Sequence, residues 1–253
     1  MCVQVRHLIR MSIENDSGRD CGLNRRRMRY APTVLRNIPR RNDFLSWLVL
    51  MQHYGMPTRL LDWTENPLIA AYFSVCENQY DDGEFWAMFP CALNESHESE
   101  ELSSCVAIKE HPVVKYLAAQ PMFSGNEEDL AKGRDLGKIP IHPVAVQYPM
   151  VISRMNSQYS TFTIHPKPRK GCSIPELLTD ERNLVRYIIP AKCKQALLSN
   201  LRSLGVNWRT IFQDIEYISK DIKFRYNEYF IENCIYTKSN LSDPPHCAGI
   251  HSD

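Results

Sequence analysis

Glycine is scarce, with 10 in 253 residues, and none falls in a G-x-x-x-x-G-K-[ST] loop or a G-x-G-x-x-G turn. Nucleotide binding through a phosphate-cradling glycine loop is therefore not expected. No apolar run approaches the roughly 20 residues that span a bilayer, and the N-terminus lacks the apolar core of a signal peptide, so no membrane partner is expected and the expected compartment is the cytoplasm. The nine cysteines form no C-x-x-C pair and their number is odd, which reads as reduced thiols rather than a disulfide framework. None of the eight histidines stands at zinc-ligand spacing from a cysteine, so no metal is expected. An excess of charge of either sign is also missing: 30 basic against 29 acidic side chains leave a formal net charge of +1, unlike a domain dedicated to nucleic acid.

What is present is ordinary globular composition, 43% hydrophobic and 23% charged, with one asymmetry. All ten arginines from Arg6 to Arg41 lie in the first 41 residues. Residues 1–30 read as a basic, poorly ordered arm whose arginines could contact nucleic acid or another phosphate-bearing partner. The main domain is expected over 31–232 and a patternless tail over 233–253. With no internal repeat and no clear linker, the economical reading is one α+β domain, a mixed sheet with flanking helices.

Between those ends the patterning is legible. Phe44, Leu48 and Met51 recur at helical spacing, Asn42 or Asp43 can cap the start, and Gly55 sits where a helix stops, predicting a helix over 43–54. Pro57 forbids continuation, and 58–62 fits a short buried strand, with Thr58, Leu60 and Asp62 on one face and Arg59, Leu61 and Trp63 on the other. Thr64 is the expected cap of the next helix, which opens at Pro67 and is apolar all round, so it should be buried. Strands are predicted over 84–89, 142–149, 159–165 and 184–190. Helices are expected over 112–120, in the Leu197, Leu201 and Leu204 segment ended by Gly205, and along Ile211, Ile215, Ile218 and Ile222. The polar run after residue 93 reads as an exposed loop.

The candidate site is the polar block wedged between two apolar runs: Gln52, His53, Thr58, Arg59, Asp62, Trp63, Thr64 and Asn66. A buried Asp62 carboxylate needs a partner, and Arg59 lies on the opposite strand face, so Arg154 is the candidate for Asp62 and a ligand anion or a buried carboxylate for Arg59. Two readings compete. The block could be a hydrogen-bonded network that fixes two helices and a strand. It could equally line a pocket in which Trp63 or Tyr54 stacks on a ligand and Arg59 grips a phosphate or carboxylate. A second polar cluster sits downstream, where Arg154 and Gln158 stand four apart before a strand carrying Thr161, Thr163 and His165. Two such clusters at strand ends are what a single cleft would need.

The stretch "WLVLMQHYGMPTRLLDWTENPLIAAYFSV" resembles the central signature of the FRG domain family, and Arg154, Gln158 and "STFTIH" resemble its later R-x-x-x-Q-x-G-x-F-T-[LI]-H segment. Two departures stand out. Ser160 occupies the position of the family's glycine, and no Phe-Arg-Gly or Tyr-Arg-Gly occurs anywhere, so either the chain starts late or the arm replaces a strand. The family's motif order is similar to that of ADP-ribosyltransferase folds, which hold a nicotinamide dinucleotide (NAD) in a cleft between two small sheets. The resemblance implies a possible NAD-dependent transferase-like activity, in a bacterial toxin or phage-defence setting. On that analogy Thr58 and Thr64 would face the ribose, and Tyr72 or Trp63 would stack on the nicotinamide. Gln158 would stand where transferases often place a catalytic glutamate. Arg59, Asp62 and Gln158 are the candidate catalytic residues; Gln52, His53, Asn66, Arg154, Thr163 and His165 would complete the ligand-binding wall. A glutamine cannot supply a carboxylate's charge or act as its base. The alternative is a non-catalytic binding module or inactive relative.

Overall fold

The structure, a computed structural model, describes residues 2–5, 29, 38–95, 97, 102, 106–120, 141–149, 153–166, 173–219, 221–223 and 226. Seven strands form one sheet: β1 (Cys2–Val5), β2 (Leu60–Thr64), β3 (Gly83–Met88), β4 (Ala107–Ile108), β5 (Val144–Gln147), β6 (Ser160–Ile164) and β7 (Leu184–Ile189). Their order is β4-β5-β6-β2-β1-β3-β7. The β4·β5 pair is parallel and every other pair is antiparallel, so the sheet is mixed and the fold α+β. β1 joins a four-strand unit, β4-β5-β6-β2, to the β3·β7 pair. The expected N-terminal arm and C-terminal tail otherwise lie almost wholly outside the described residues; of the arm, Cys2–Val5 takes a central place in the sheet.

Among the described residues the strands are accompanied by α1 (Phe44–His53), α2 (Pro67–Val75), α3 (Pro90–Glu95), α4 (Pro112–Ala119), α5 (Ser153–Ser157), α6 (Ile174–Leu177), α7 (Ala191–Ser203) and α8 (Trp208–Phe212), and residues 215–219 are again helical. α1 starts where Asp43 accepts from the Ser46 amide, and it gives way to Gly55, whose φ of +71° is open to glycine at no steric cost. α2 is capped by Asn66, which accepts from the Leu68 amide, and not by Thr64. Thr64 is the last residue of β2, because the strand runs over 60–64 rather than 58–62.

Alternation along β2 decides what packs where. Leu60 joins Val144, Val146, Phe162 and Ile164 under α1 and α4, while Leu61 and Trp63 face Met88, Leu93, Ala145 and Ile174 on the other side. Directly paired residues share a face, and Val3 pairs with both Thr64 and Ala87. The face of Leu60, Asp62 and Thr64 is thus also the face of Ala87, where α2 packs through Ala70 and Phe73. Two helix groups, α1 with α4 and α2 with α7, therefore cover the same side of the sheet. The opening between them lies over Asp62 and Thr64.

Two stretches depart from the sequence reading. The run taken as an exposed loop begins inside α3, and Asn94 is fully buried. Its side-chain amide donates to Ala145 O at 3.1 Å and accepts from Ala145 N at 2.8 Å, doing for β5 what a neighbouring strand would. Asn94→Ala is expected to cost about 2 kcal/mol, since it leaves a buried donor and a buried acceptor unpaired. Asn94→Asp should cost more at neutral pH, because a carboxylate cannot donate to the carbonyl; urea denaturation of both variants checks the order. The isoleucine helix expected after residue 211 also breaks, at Gln213, whose φ is +55°. Ile211 is buried, but Ile215 and Ile222 are 79% and 60% exposed.

Candidate functional site

The opening is a cleft of about 370 Å³. One wall is the end of α1, with Gln52, His53 and Gly55. The floor is Asp62 and Thr64 from β2 with Ser160 and Phe162 from β6, and the far wall is Phe73, Cys76 and Glu77 from α2 and its end. Arg154 and Gln158 close the rim together with Phe212 and Tyr217. Of the two polar clusters expected to share one cleft, around residues 52–66 and 154–165, the structure brings Gln52, His53, Asp62, Trp63, Thr64, Arg154 and Gln158 together around this opening.

The floor is wired from below. The Leu60 amide donates to Thr58 Oγ1 at 3.2 Å, and the Thr58 hydroxyl donates to Gln52 Oε1 through a short hydrogen bond. With its oxygen so engaged, Gln52 turns its NH₂ toward Asp62, whose carboxyl it hydrogen-bonds. Burial pushes the Asp62 carboxyl above the usual carboxylate range, against the pull of Gln52 and of the Arg154 charge. Arg154 is thus an electrostatic neighbour of Asp62 but not an ion-pair partner: among the described residues no carboxylate pairs with its guanidinium. The guanidinium lies 4.7 Å over the Phe212 ring, and Tyr217 stacks on Phe212 at 3.9 Å with 10° between the planes. His53 is held below its ordinary value, first by burial and then by the Arg154 charge. Thr64 donates to Gln158 O at 2.7 Å, tying the floor to the rim, and Gln158 Nε2 is buried with no hydrogen-bond partner among the described residues.

Six of the residues expected in the site lie elsewhere. Arg59 is buried behind the sheet end, where it donates to Gln120 Oε1 at 2.7 Å and Leu117 O at 3.0 Å on α4 and does not line the cleft. Tyr72 is 1% exposed inside the α2, α7 and α8 core and cannot stack on a ligand. Thr58 supports Gln52 from below, and Asn66 is spent as the α2 cap. Buried Thr163 and half-buried His165 form a chain on the opposite face with Trp63, whose Nε1 donates to Thr163 Oγ1 at 3.1 Å. Trp63 borders the cleft, but it is 4% exposed and its indole belongs to that far-side chain, so it offers no stacking platform. Tyr54 is 58% exposed and outside the cleft. The left-handed backbone near the family's glycine falls on Tyr159, with φ of +49°, and Ser160 is an ordinary strand residue.

The sequence reading missed Phe73, Phe212 and Tyr217. Aromatic residues in apolar helices read as core, and only the approach of α8 to α5, where Ser157 Oγ donates to Ile211 O at 2.6 Å, places them beside Arg154. Among the described residues, no group of three or more His, Cys, Asp or Glu is placed to hold a metal ion, and no helix is long and apolar enough to cross a membrane.

No curated protein and no solved structure matches the chain. A family model does match, over a span that takes in α1, β2 and α2 and stops before Arg154. Residues 11–83 match the model of the FRG domain.

Proposed function

We propose that the cleft binds a small molecule, with NAD as the candidate, and that Asp62 is the group that acts on it in an ADP-ribosyl transfer. The observation that carries this reading is a desolvated carboxyl on the floor of an open cleft, oriented by Gln52 and within reach of the charge of Arg154, which no carboxylate among the described residues pairs. A carboxyl whose proton affinity is raised is, in its ionised form, a stronger base than an ordinary carboxylate, which suits general-base work. In the transfer, the bond between the ribose C1′ and the nicotinamide nitrogen breaks, and its electron pair leaves with neutral nicotinamide. The acceptor's lone pair forms the new bond to C1′, and the acceptor's proton passes to Asp62. In its ionised form Asp62 also supplies the negative charge that steadies the positive ribose carbon, a role Gln158 cannot fill.

Asp62→Asn tests the reading in two ways. Nicotinamide release from NAD should fall about a hundredfold, the scale of losing one preorganised charge or base. The melting midpoint should hold or rise, because the folded state disfavours the ionised carboxyl that the substitution removes. A structural Asp62 would give the opposite, a clear loss of stability. Absence of both nicotinamide release and an NAD-dependent rise in midpoint would sink the transfer reading. A second reading, the non-catalytic binding module, is supported by the neutral Gln158 on the rim, where a transferase would carry a second carboxylate.

A further inference from the structure

We infer that the rim of the cleft is an oxyanion subsite in which Arg154, assisted by Gln158, takes a phosphoryl group. The inference rests on the cleft receiving a small molecule, but not on any transfer reaction. Charge placement is the first argument. Arg154 lies at the mouth of the cleft, and among the described residues no carboxylate sits within ion-pair distance of it. An unpaired, partly buried guanidinium is a costly arrangement unless something anionic visits it.

Geometry is the second. Phe212 is sandwiched, with Arg154 on one side and Tyr217 stacked at 3.9 Å, and Phe73 meets its edge at 5.7 Å. This pillar serves the arginine rather than a ligand ring, since Phe212 is already covered. The contact with Phe212 engages the charge of the guanidinium without a carboxylate, so its N–H groups remain for a phosphoryl group, which a guanidinium matches two bonds at a time. Holding the side chain still before the ligand arrives removes part of the ordering cost of binding.

The third argument is the unspent donor. Gln158 stands four residues beyond Arg154, the Gln158 amide donates to Arg154 O at 3.1 Å, and Nε2 is buried without a partner among the described residues, so it would serve a second oxygen. The remaining charged neighbours allow an anion. Burial raises the Asp62 carboxyl and lowers His53, favouring the uncharged form of each, and the two other carboxylates nearby, Glu77 on the opposite wall and Asp214, whose charge reaches His53, are both exposed to solvent.

The full chain is titrated with inorganic pyrophosphate at constant ionic strength, followed by its melting midpoint. The wild type should show a saturable rise, Arg154→Gln should bind about tenfold more weakly or worse, and Arg154→Lys should fall between. Phe212→Leu should weaken binding while leaving the charge in place. Equal shifts in wild type and Arg154→Gln, or no shift in the wild type, would overturn the subsite. Should Arg154→Gln fail to fold, modification of wild-type arginines by phenylglyoxal decides: pyrophosphate shields Arg154 if the subsite exists and leaves it reactive if it does not. ADP-ribose binding more tightly than pyrophosphate would assign the phosphoryl group to a nucleotide, and equal affinity would assign it to free phosphate. Because pyrophosphate carries no nicotinamide, the subsite can stand when the transfer reading fails.

Discussion

Lys194→Met should destabilise the protein by about 4 kcal/mol, more than any other single substitution argued from this structure. Lys194 sits on α7 and is 2% exposed, yet among the described residues no carboxylate pairs with it. Its Nζ donates to Glu77 O at 2.8 Å, Asn78 O at 3.0 Å and Asp81 O at 3.2 Å, so all three protons go to the backbone of the α2–β3 connection. The same connection is also held by Gln79 Nε2 donating to Val75 O at 2.7 Å, the Asp81 amide donating to Asn78 O at 3.1 Å and the Ala191 amide donating to Asp82 Oδ1 at 2.8 Å. Asn78 is left-handed, with φ of +46°, and Gly83 must pass so close to the Ser74 carbonyl that a Cβ would overlap its oxygen. Methionine matches the stem of lysine but leaves three carbonyls without their donor. Urea denaturation would show the loss as a lower midpoint at unchanged slope. A cost under about 1 kcal/mol would mean that water replaces the ammonium easily and the connection is not built around it.

Lys194 also shows where a single sequence stops being informative. In "AKCKQALLSNLRS" a lysine at that position reads as a solvated helix face, and nothing local reports that three carbonyls from residues 77–81 converge on it. Asn94 was hidden in the same way, since a polar residue in a polar run looks exposed until β5 is seen beside it. What was legible is what local physics dictates. The Asp43 cap, the Gly55 and Gly205 stops, the alternation of Leu60 with Leu61, and the inward Phe162 and Ile164 all follow from short-range geometry. The same alternation correctly kept Arg59 and Asp62 from pairing with each other. It could not say that Arg59 would reach α4, some sixty residues away, to bond Gln120, nor that Trp63 would turn its indole to Thr163. A motif groups residues that act together without telling which of them touch a ligand. Here Asp62 and Gln52 line the cleft while Thr58 and Asn66 hold up its frame.

The chain behind the sheet makes a prediction of its own, for acid. Trp63 can only donate to Thr163 Oγ1, so the Thr163 hydroxyl is free to turn its hydrogen to His165 Nε2, 3.2 Å away, which then accepts as a neutral ring. Burial, and then the Arg59 charge, lower the proton affinity of His165, to a pKa of about 4 against 6.5 for an ordinary histidine. An unfolded chain takes up this proton as pH falls through 6.5, and the folded chain resists until about 4. Within that window the unfolded state binds more protons, so stability is full above 6.5 and drains away as the pH falls toward 4. The loss attributable to His165 is up to about 3 kcal/mol. His53 and His97, both also lowered, act in the same direction, whereas Asp62 acts in the opposite one, since its raised carboxyl costs stability as pH rises. The His165 share is therefore read by difference: unfolding free energies of wild type and His165→Gln at pH 7 and pH 4, where the wild type should fall further by about 3 kcal/mol. Parallel losses in the two proteins would show that the ring is already protonated in the fold, and that Thr163 accepts from it rather than donates.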